Sequence, residues 1–285
     1  MSDHLIPFLL PQRGVRGFAV EISTGIPEML GWRDYPADVV RLLGQALAAT
    51  PLLAADLRAE TRMNLQFQGN NALKLLVTQI DQTLGVRGMA SYLPEAAGDF
   101  QALMHGGLLA CVMEPKASAQ RYQAVVEILG DSLAEALEIY FARSEQLPTL
   151  IRLAAGAGKF TGLMLQLLPE RGDDEHWAHI KALFGTLGET ELLAVDAATL
   201  LRRLFAEEEV RLLEARPVKL ACRCSHASIS AMLLGLGEAE MRSVLAEQGK
   251  VEVTCEFCGR AYSYGELEVR QLFAAASSRP GRSIQ

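Results

Sequence analysis

The stretch KVEVTCEFCGRAYSY, residues Lys250–Tyr264, holds two cysteines separated by two residues, Cys255 and Cys258. Apolar and polar residues alternate on both sides of the pair, which predicts a β-hairpin with the cysteines at its tip. Gly259 directly follows the second cysteine and can adopt the positive φ angle that the turn of a metal knuckle often needs. The stretch therefore predicts a small hairpin that presents two thiols.

A second close pair of cysteines precedes this hairpin. In ACRCSHAS, residues Ala221–Ser228, one residue separates Cys222 from Cys224, and thirty residues lie between the two pairs. Four thiolates complete the tetrahedral shell of a closed zinc site. His226 offers an imidazole beside them, but four cysteines already fill the shell, so we expect His226 to stay outside it. We expect metal to supply much of the folding free energy of so small a module.

The spacing of the cysteines is consistent with two behaviours. A permanently reduced zinc knuckle needs only the four ligands. The members of each pair are also close enough along the chain to form a local disulfide, and oxidation of a zinc-bound thiolate removes it as a ligand. Such a site would release its metal on oxidation and lose the fold that the metal held. Spacing alone leaves both interpretations open.

The bulk composition is that of a globular protein without a basic field. The chain has 285 residues, a net charge of −7 and 50% hydrophobic residues, so no global positive charge would attract nucleic acid or an anionic membrane. Pro7 and Pro11 interrupt the apolar N-terminal run, and no apolar stretch is long enough to span a bilayer, so we expect neither a signal peptide nor a membrane helix. We therefore expect a cytoplasmic protein, where thiols are kept reduced and paired cysteines mostly bind metal or do redox chemistry.

The remainder of the chain predicts an α+β protein with a separate C-terminal module. β-like runs and helical patterns in residues 1–170 predict an N-terminal domain of mixed sheet and helix. Amphipathic patterns in residues 171–217 predict a helical linker. Residues 218–275 hold the four close cysteines and are expected to form a small zinc-binding module, and the polar residues 276–285 predict a disordered tail.

Three details of this organisation follow from single residues. Pro51 is expected to begin a second helix after the helical pattern that precedes it. The amphipathic face of the linker helices is expected to extend as far as Leu212. Cys111, which lies inside a strand-like apolar run, is expected to be a buried thiol.

Other motifs point to no catalytic site. GAGKF, residues Gly156–Phe160, lacks the first glycine and the Ser or Thr of a phosphate-binding loop, and it predicts a tight turn. His176 and His179 lie one helical turn apart without the HExxH pattern of zinc proteases, and they predict a solvated helix. The chain has no nucleophile elbow and no dinucleotide fingerprint. We therefore expect no enzymatic activity and no catalytic residues.

Several longer stretches carry a family resemblance. The order CRCS … LAEQGKVEVTCEFCGRAYSY, with LGVRGMA, GDSLAEALEIYFARSEQLPT and LMLQLLP upstream, closely resembles the Hsp33 family of redox-regulated chaperones. The resemblance covers nearly the whole chain, and the cysteine pattern together with SEQLPT is specific. One departure is the run CSHASIS, in which His226 and Ala227 stand at positions that are usually charged in the family.

The resemblance implies a function and a set of site residues. Cys222, Cys224, Cys255 and Cys258 would bind one zinc ion per chain in the reduced, inactive state. Oxidation would form the disulfides Cys222–Cys224 and Cys255–Cys258, release the zinc and unfold the linker. The chaperone would then hold unfolded or partly unfolded client proteins without ATP under oxidative stress, commonly as a homodimer.

Two alternatives from other classes stand beside this interpretation. A zinc ribbon could bind nucleic acid, although basic and acidic residues nearly balance from Pro217 onward, which gives no electrostatic footprint. A thiol–disulfide oxidoreductase would need its Cys-x-x-Cys pair at the N-terminus of a helix, whereas this pair is expected in a hairpin.

Overall fold

A computed structural model describes residues 3–57, 60–115, 121–156, 158–169 and 174–277. Contacts within the chain divide it into two compact units, Met1–Ala221 and Cys222–Gln285. From residue 278 onward, the predicted tail lies outside the described residues. Mixed sheets and helices make up the chain, which confirms the α+β class predicted from the sequence.

Strands and helices alternate irregularly along the first unit. In chain order, its strands are β1 (His4–Leu10), β2 (Val15–Ile22), β3 (Thr61–Gln68), β4 (Leu73–Ile80), β5 (Gly85–Tyr92), β6 (Leu108–Pro115), β7 (Tyr122–Glu127), β8 (Thr149–Gly156), β9 (Lys159–Leu167), β10 (Arg211–Leu212), β11 (Arg216–Pro217) and β12 (Lys219–Leu220). Its helices are α1 (Ile26–Leu30), α2 (Ala37–Leu53), α3 (Phe100–Met104), α4 (Leu133–Tyr140), α5 (Asp174–Gly185), α6 (Glu189–Ala194) and α7 (Ala197–Leu204), with a 3-10 turn at Pro11–Arg13 and a π-helical turn at Phe141–Glu145.

The strands form two six-stranded sheets. Sheet 1 has the order β10-β1-β2-β9-β8, and β11 also pairs with β1. Sheet 2 has the order β12-β5-β4-β3-β6-β7. Strand β12 runs parallel to β5, whereas the other pairs are antiparallel. The chain that leads toward Cys222 is therefore anchored first to the edge of sheet 1 and then to the edge of sheet 2.

Helix α2 packs against both sheets and forms the centre of the main core. Gly44 allows its close approach to sheet 1, since a Cβ atom at this position would lie 2.6 Å from the ring of Phe160. The prediction that Pro51 begins a second helix is wrong, because α2 continues through Pro51 to Leu53. The last turns of α2 are buried, and this burial offsets the backbone hydrogen bond that the proline cannot donate.

Helices α5, α6 and α7 cover the opposite face of sheet 1 and are called the α5–α7 layer below. The residues of this segment that are buried in the shared core are Ile180, Phe184, Leu187, Leu192, Ala197, Leu200, Leu201 and Phe205. The prediction that the helical face extends to Leu212 is wrong, because α7 ends at Leu204 and Leu212 lies half-exposed in β10. The free edge of β1 offers backbone hydrogen bonds to this segment, and strand pairing prevails over helical propensity there.

The second unit has a small core of its own. It contains, in chain order, α8 (His226–Leu236), α9 (Glu238–Gln248), β13 (Val251–Thr254), β14 (Ala261–Tyr264) and α10 (Glu266–Ser277). Its buried apolar cluster consists of Leu233, Met241, Val251, Tyr264 and Val269. So few buried side chains give little folding free energy, and natural units of this size often gain stability from a bound metal or from disulfides.

The described residues offer no candidate for a membrane-spanning helix. Within the described ranges of both units, no helix combines the length and the apolar character that a bilayer-spanning helix needs. The longest helix of the first unit, α2, is placed between the two sheets and has its apolar residues in the protein core.

Candidate metal centre

Hairpin β13–β14 carries Cys255 and Cys258 in its turn. The backbone N–H groups of Cys258 and Gly259 both donate to the carbonyl oxygen of Cys255, at 3.3 and 2.8 Å. Gly259 has a φ of +68°, which confirms the positive φ predicted for this residue. A left-handed backbone conformation at this position costs little free energy only for glycine. This conformation allows the turn to fold back, so that both thiols reach one point.

Cys222 and Cys224 lie in an irregular segment directly before α8. Ser225 caps this helix: its Oγ accepts a hydrogen bond from the backbone N–H of Ser228 at 3.1 Å, and the Ser228 Oγ accepts one from the backbone N–H of Ser225 at 2.9 Å. This reciprocal capping box fixes the chain direction immediately after Cys224. It was not predicted from the sequence, although the spacing Ser-x-x-Ser before an apolar run carried the signal.

The four sulfur atoms come together at one point. They all lie within 4.8 Å of one another. The Sγ atoms of Cys222 and Cys255 are 3.6 Å apart, and those of Cys224 and Cys258 are 3.4 Å apart. Sulfurs that bind one zinc ion tetrahedrally at about 2.3 Å are about 3.8 Å from each other. The sulfur distances therefore fit a four-cysteine metal site, the one cluster of metal-ligating groups among the described residues.

The thiols control one another's ionisation. Burial opposes the thiolate of Cys222, yet hydrogen bonds from the Cys224 backbone N–H and from the neighbouring thiols outweigh it and lower the pKa of Cys222 to about 7. Burial raises the pKa of Cys258 to about 12, and the negative charge of Cys222 adds to this rise. Burial likewise raises the pKa of Cys255. Four thiolates at these distances would need a cation among them, and a soft divalent metal ion would supply that charge.

His226 lies at the start of α8, outside the group of four sulfurs. Its ring packs against that of Tyr264, with the ring centroids 4.6 Å apart. The Tyr264 hydroxyl donates to the carbonyl oxygen of His226 at 3.2 Å, although 38 residues separate the two along the chain. This contact ties β14 to the start of α8 and so helps to align the two cysteine pairs. No local sequence pattern could have indicated it.

The remaining sequence candidates belong to the first unit. Cys111 lies in β6 and is 1% exposed, and burial raises the pKa of its thiol to about 11, so the predicted buried thiol is confirmed. GAGKF falls at the connection between β8 and β9, where Gly158 has a φ of +79°, as expected of a tight turn. The two histidines of DEHWAH lie on α5, and the Nε2 atom of His179 is 2.9 Å from the Oε1 atom of Glu208.

Comparisons with known proteins add independent information. A sequence profile of the family described as "Hsp33 protein" matches residues 3–265. The 33 kDa chaperonin of Methylobacillus flagellatus is 36% identical over an alignment that covers 100% of this chain and 99% of that protein. The 33 kDa chaperonin of Nitrosococcus oceani is 39% identical, covering 99% of this chain and 98% of that protein.

A solved structure shares the fold. The crystal structure of the 33 kDa chaperonin (heat shock protein 33 homolog) from Thermotoga maritima superposes with a TM-score of 0.81. The match covers 96% of this chain and 99% of that chain, at 23% sequence identity. At this level of identity the similarity concerns the fold alone, and it agrees with the α+β architecture described above.

Proposed function

The chain belongs to the Hsp33 family of chaperones, and from this premise we propose that it is a redox-regulated holdase that works without ATP. In the proposed cycle, the reduced protein binds one zinc ion and is inactive. Oxidation converts it into a form that binds unfolding proteins and prevents their aggregation under oxidative stress. The observation that carries the proposal is the convergence of four cysteine sulfurs within 4.8 Å of one another.

The proposed ligands of the zinc ion are Cys222, Cys224, Cys255 and Cys258. A set of four thiolates favours a soft or borderline divalent cation, and zinc is the usual ion of closed four-cysteine sites. When bound, zinc would supply the positive charge that allows all four sulfurs to stay ionised. The small apolar core of the second unit supports the further proposal that metal binding contributes folding free energy there.

Oxidation is proposed to form one disulfide within each pair, Cys222–Cys224 and Cys255–Cys258. Each sulfur–sulfur bond forms as two electrons pass to the oxidant, and two disulfides leave no thiolate to hold a metal ion. The sulfurs of a disulfide are about 2.05 Å apart. Any two of the four sulfurs lie within 4.8 Å of each other, so they need to move closer by less than about 3 Å to form one. The sulfur distances of 3.6 and 3.4 Å given above join members of different pairs, so the proposed pairing rests on the family resemblance and on sequence proximity.

The linker, residues 171–217, is proposed to be the part that unfolds once the metal is lost. Its described helices form the α5–α7 layer, which buries an apolar face of sheet 1 that includes Phe8, Leu163 and Leu165. Release of the layer would expose its own apolar residues and this face of the sheet. A large, contiguous apolar surface is typical of sites that bind other proteins.

Unfolded or partly unfolded proteins are the proposed clients, and a homodimer is the proposed active form, as the family resemblance implies. The cytoplasm is the proposed location, because a reducing compartment keeps the four thiols available for zinc until an oxidant arrives. The position of Cys255 and Cys258 in a hairpin turn, instead of at a helix N-terminus, favours metal binding over thiol–disulfide oxidoreductase chemistry.

Metal analysis and disulfide mapping on one preparation test this proposal. Protein purified under reducing conditions should contain one zinc ion per chain. After treatment with hypochlorite, mass spectrometry of proteolytic peptides should recover the bonds Cys222–Cys224 and Cys255–Cys258, and the zinc should be free. Zinc that stays bound through full oxidation, or bonds that join the two pairs, would contradict the proposed switch.

A further inference from the structure

A buried carboxylate fastens the end of the α5–α7 layer to the N-terminal turn of the first unit. Glu208 follows α7, and its side chain is 3% exposed. Arg13, in the 3-10 turn after β1, donates from Nε and Nη2 to the two carboxylate oxygens of Glu208, both at 2.8 Å. His179 on α5 contacts the same carboxylate, with 2.9 Å between Nε2 and Oε1. One side chain thus joins three segments that are far apart in the sequence.

The geometry of this cluster is that of a strong ion pair. A guanidinium that meets a carboxylate through two parallel hydrogen bonds gives one of the strongest side-chain contacts in proteins. The hydrogen bonds from Arg13 hold the pKa of Glu208 below its usual value, although burial acts in the opposite direction, and the contact with His179 lowers it further. Removal of Arg13 would leave a carboxylate that is 3% exposed without its two-pronged partner, which costs more than the loss of a fully exposed pair.

The neighbouring glutamate provides a contrast. The side chain of Glu209 is 49% exposed, and its Oε1 atom is 3.4 Å from the Nη2 atom of Arg211. Its other oxygen is 3.4 Å from the side-chain amide of Gln12. Exposed contacts at such distances contribute little to stability. Adjacent in sequence and equal in charge, Glu208 and Glu209 differ in burial and geometry, so Glu209→Gln is a matched control for Glu208→Gln.

We propose that Arg13, Glu208 and His179 form a latch that keeps the α5–α7 layer closed on sheet 1. Without the latch the layer opens more often, while the four cysteines stay reduced and metal-bound. This inference rests on the proposed function, in which the layer belongs to the linker that unfolds. In this proposal, an ion pair within the first unit supplies part of the free energy that holds the linker closed against the switch. The ion pair therefore helps to set the threshold at which the chaperone is activated.

Hydrogen exchange in the reduced, zinc-loaded full chain tests the latch. In R13Q and in E208Q, amides of α5 and α7 should exchange about tenfold faster or more than in the unaltered chain, whereas E209Q should stay within about twofold. The double variant R13Q/E208Q should exchange no faster than the more affected single variant, because both remove the same contact.

Two further measurements keep the test decisive. Zinc content and thiol count, measured in the same samples, should equal those of the unaltered chain. R13K keeps the charge but loses the two-pronged hydrogen bonding, so its exchange should lie between that of R13Q and the unaltered chain. R13K also provides the comparison if R13Q fails to fold. Unchanged exchange in both E208Q and R13K would overturn the latch.

Client binding by the same variants separates the latch from the proposed function. Faster exchange together with suppressed client aggregation in reduced, zinc-loaded R13Q would support both. Faster exchange without suppression would support the latch and contradict the proposal that opening of the layer activates the chaperone. Unchanged exchange in the variants, with normal activation of the oxidised protein, would overturn the latch and leave the proposed function standing.

Discussion

The ring centroids of Phe8 and Phe205 are 6.2 Å apart, and both side chains are 1% exposed. Phe8 belongs to β1 and Phe205 directly follows α7, so this contact holds the α5–α7 layer on sheet 1 through apolar packing. Gly17, which pairs with Phe8 across strands β1 and β2, leaves space for this ring, since a Cβ atom at Gly17 would lie 2.1 Å from it. The closed layer therefore depends on a packing arrangement in which a single methyl group matters.

Truncation of Phe205 should loosen the layer. Phe205→Ala removes a buried aromatic ring and should lower the free energy of unfolding of the reduced protein by about 3–5 kcal/mol. Leu212→Ala is the control, because Leu212 is half-exposed and should cost less than about 0.5 kcal/mol. Urea denaturation followed by circular dichroism measures both changes. Equal losses for the two variants would contradict the packing described here.

Addition of one methyl group at Gly17 should be harmful. Gly17→Ala forces the ring of Phe8 out of its position and should destabilise the protein by about 1–3 kcal/mol. Gly185→Ala is the matched control, because no atom beyond its chain neighbours and the backbone of its own helix lies within 4 Å of its added Cβ, and alanine favours the helix there. Thermal denaturation should show a lower melting temperature for Gly17→Ala alone. A neutral Gly17→Ala would show that Phe8 has free space after all.

The stability of the N-terminal strand should depend on pH through Asp3. Its carboxylate accepts hydrogen bonds from the backbone N–H groups and hydroxyls of Ser23 and Thr24. Burial opposes ionisation, but these hydrogen bonds outweigh it and lower the pKa of Asp3. Since the pKa in the folded state lies below the unfolded value of about 3.9, the stabilisation is complete above that pH and is lost as the pH falls through the folded-state pKa.

Asp3→Asn provides the measurement. The unaltered chain should be more stable than Asp3→Asn at neutral pH, and the difference should shrink as the pH falls below about 4. Denaturant unfolding of both proteins over a series of pH values gives the comparison. A difference that stays constant or grows toward acid pH would mean that the ionised form of Asp3 does not stabilise the fold.

Replacement of single cysteines should separate ligands from a bystander. Cys255→Ser should weaken zinc binding by more than about 100-fold, because one of four thiolates is lost. Cys111→Ser should leave zinc affinity unchanged, since Cys111 is buried in β6 of the first unit, outside the cysteine cluster. Competition with a chromogenic chelator measures both affinities. Loss of zinc affinity in Cys111→Ser, or its retention in Cys255→Ser, would contradict the proposed ligand set.

The sequence was sufficient for features whose determinants are local. The hairpin around Cys255 and Cys258 follows from alternating residues and a glycine at the turn. Cys222 and Cys224 can be assigned to the same site because a closed zinc site needs four ligands. The α+β class and the buried Cys111 likewise follow from runs of apolar residues. Apart from the joining of the two cysteine pairs, each of these predictions depends on side chains that are neighbours along the chain.

Predictions failed where distant parts of the chain override local preference. Pro51 remains inside α2 because packing between two sheets offsets its helix-breaking effect. Leu212 joins a sheet because β1 has a free edge. The contact between Arg13 and Glu208 spans 195 residues, and no spacing rule could select these two from the chain's many opposite charges. Only the folded arrangement of sheet 1 and the α5–α7 layer reveals them.

The central claim is that oxidation of four cysteines releases zinc and activates a holdase. It is tested most directly by titrating the reduced, zinc-loaded protein with hypochlorite while zinc release, thiol count and suppression of client aggregation are measured in the same samples. The account predicts that thiols fall from the five in the sequence to one, buried Cys111, as zinc release and holdase activity rise together. Oxidised protein that keeps its zinc, or loses it without gaining holdase activity, would contradict the account.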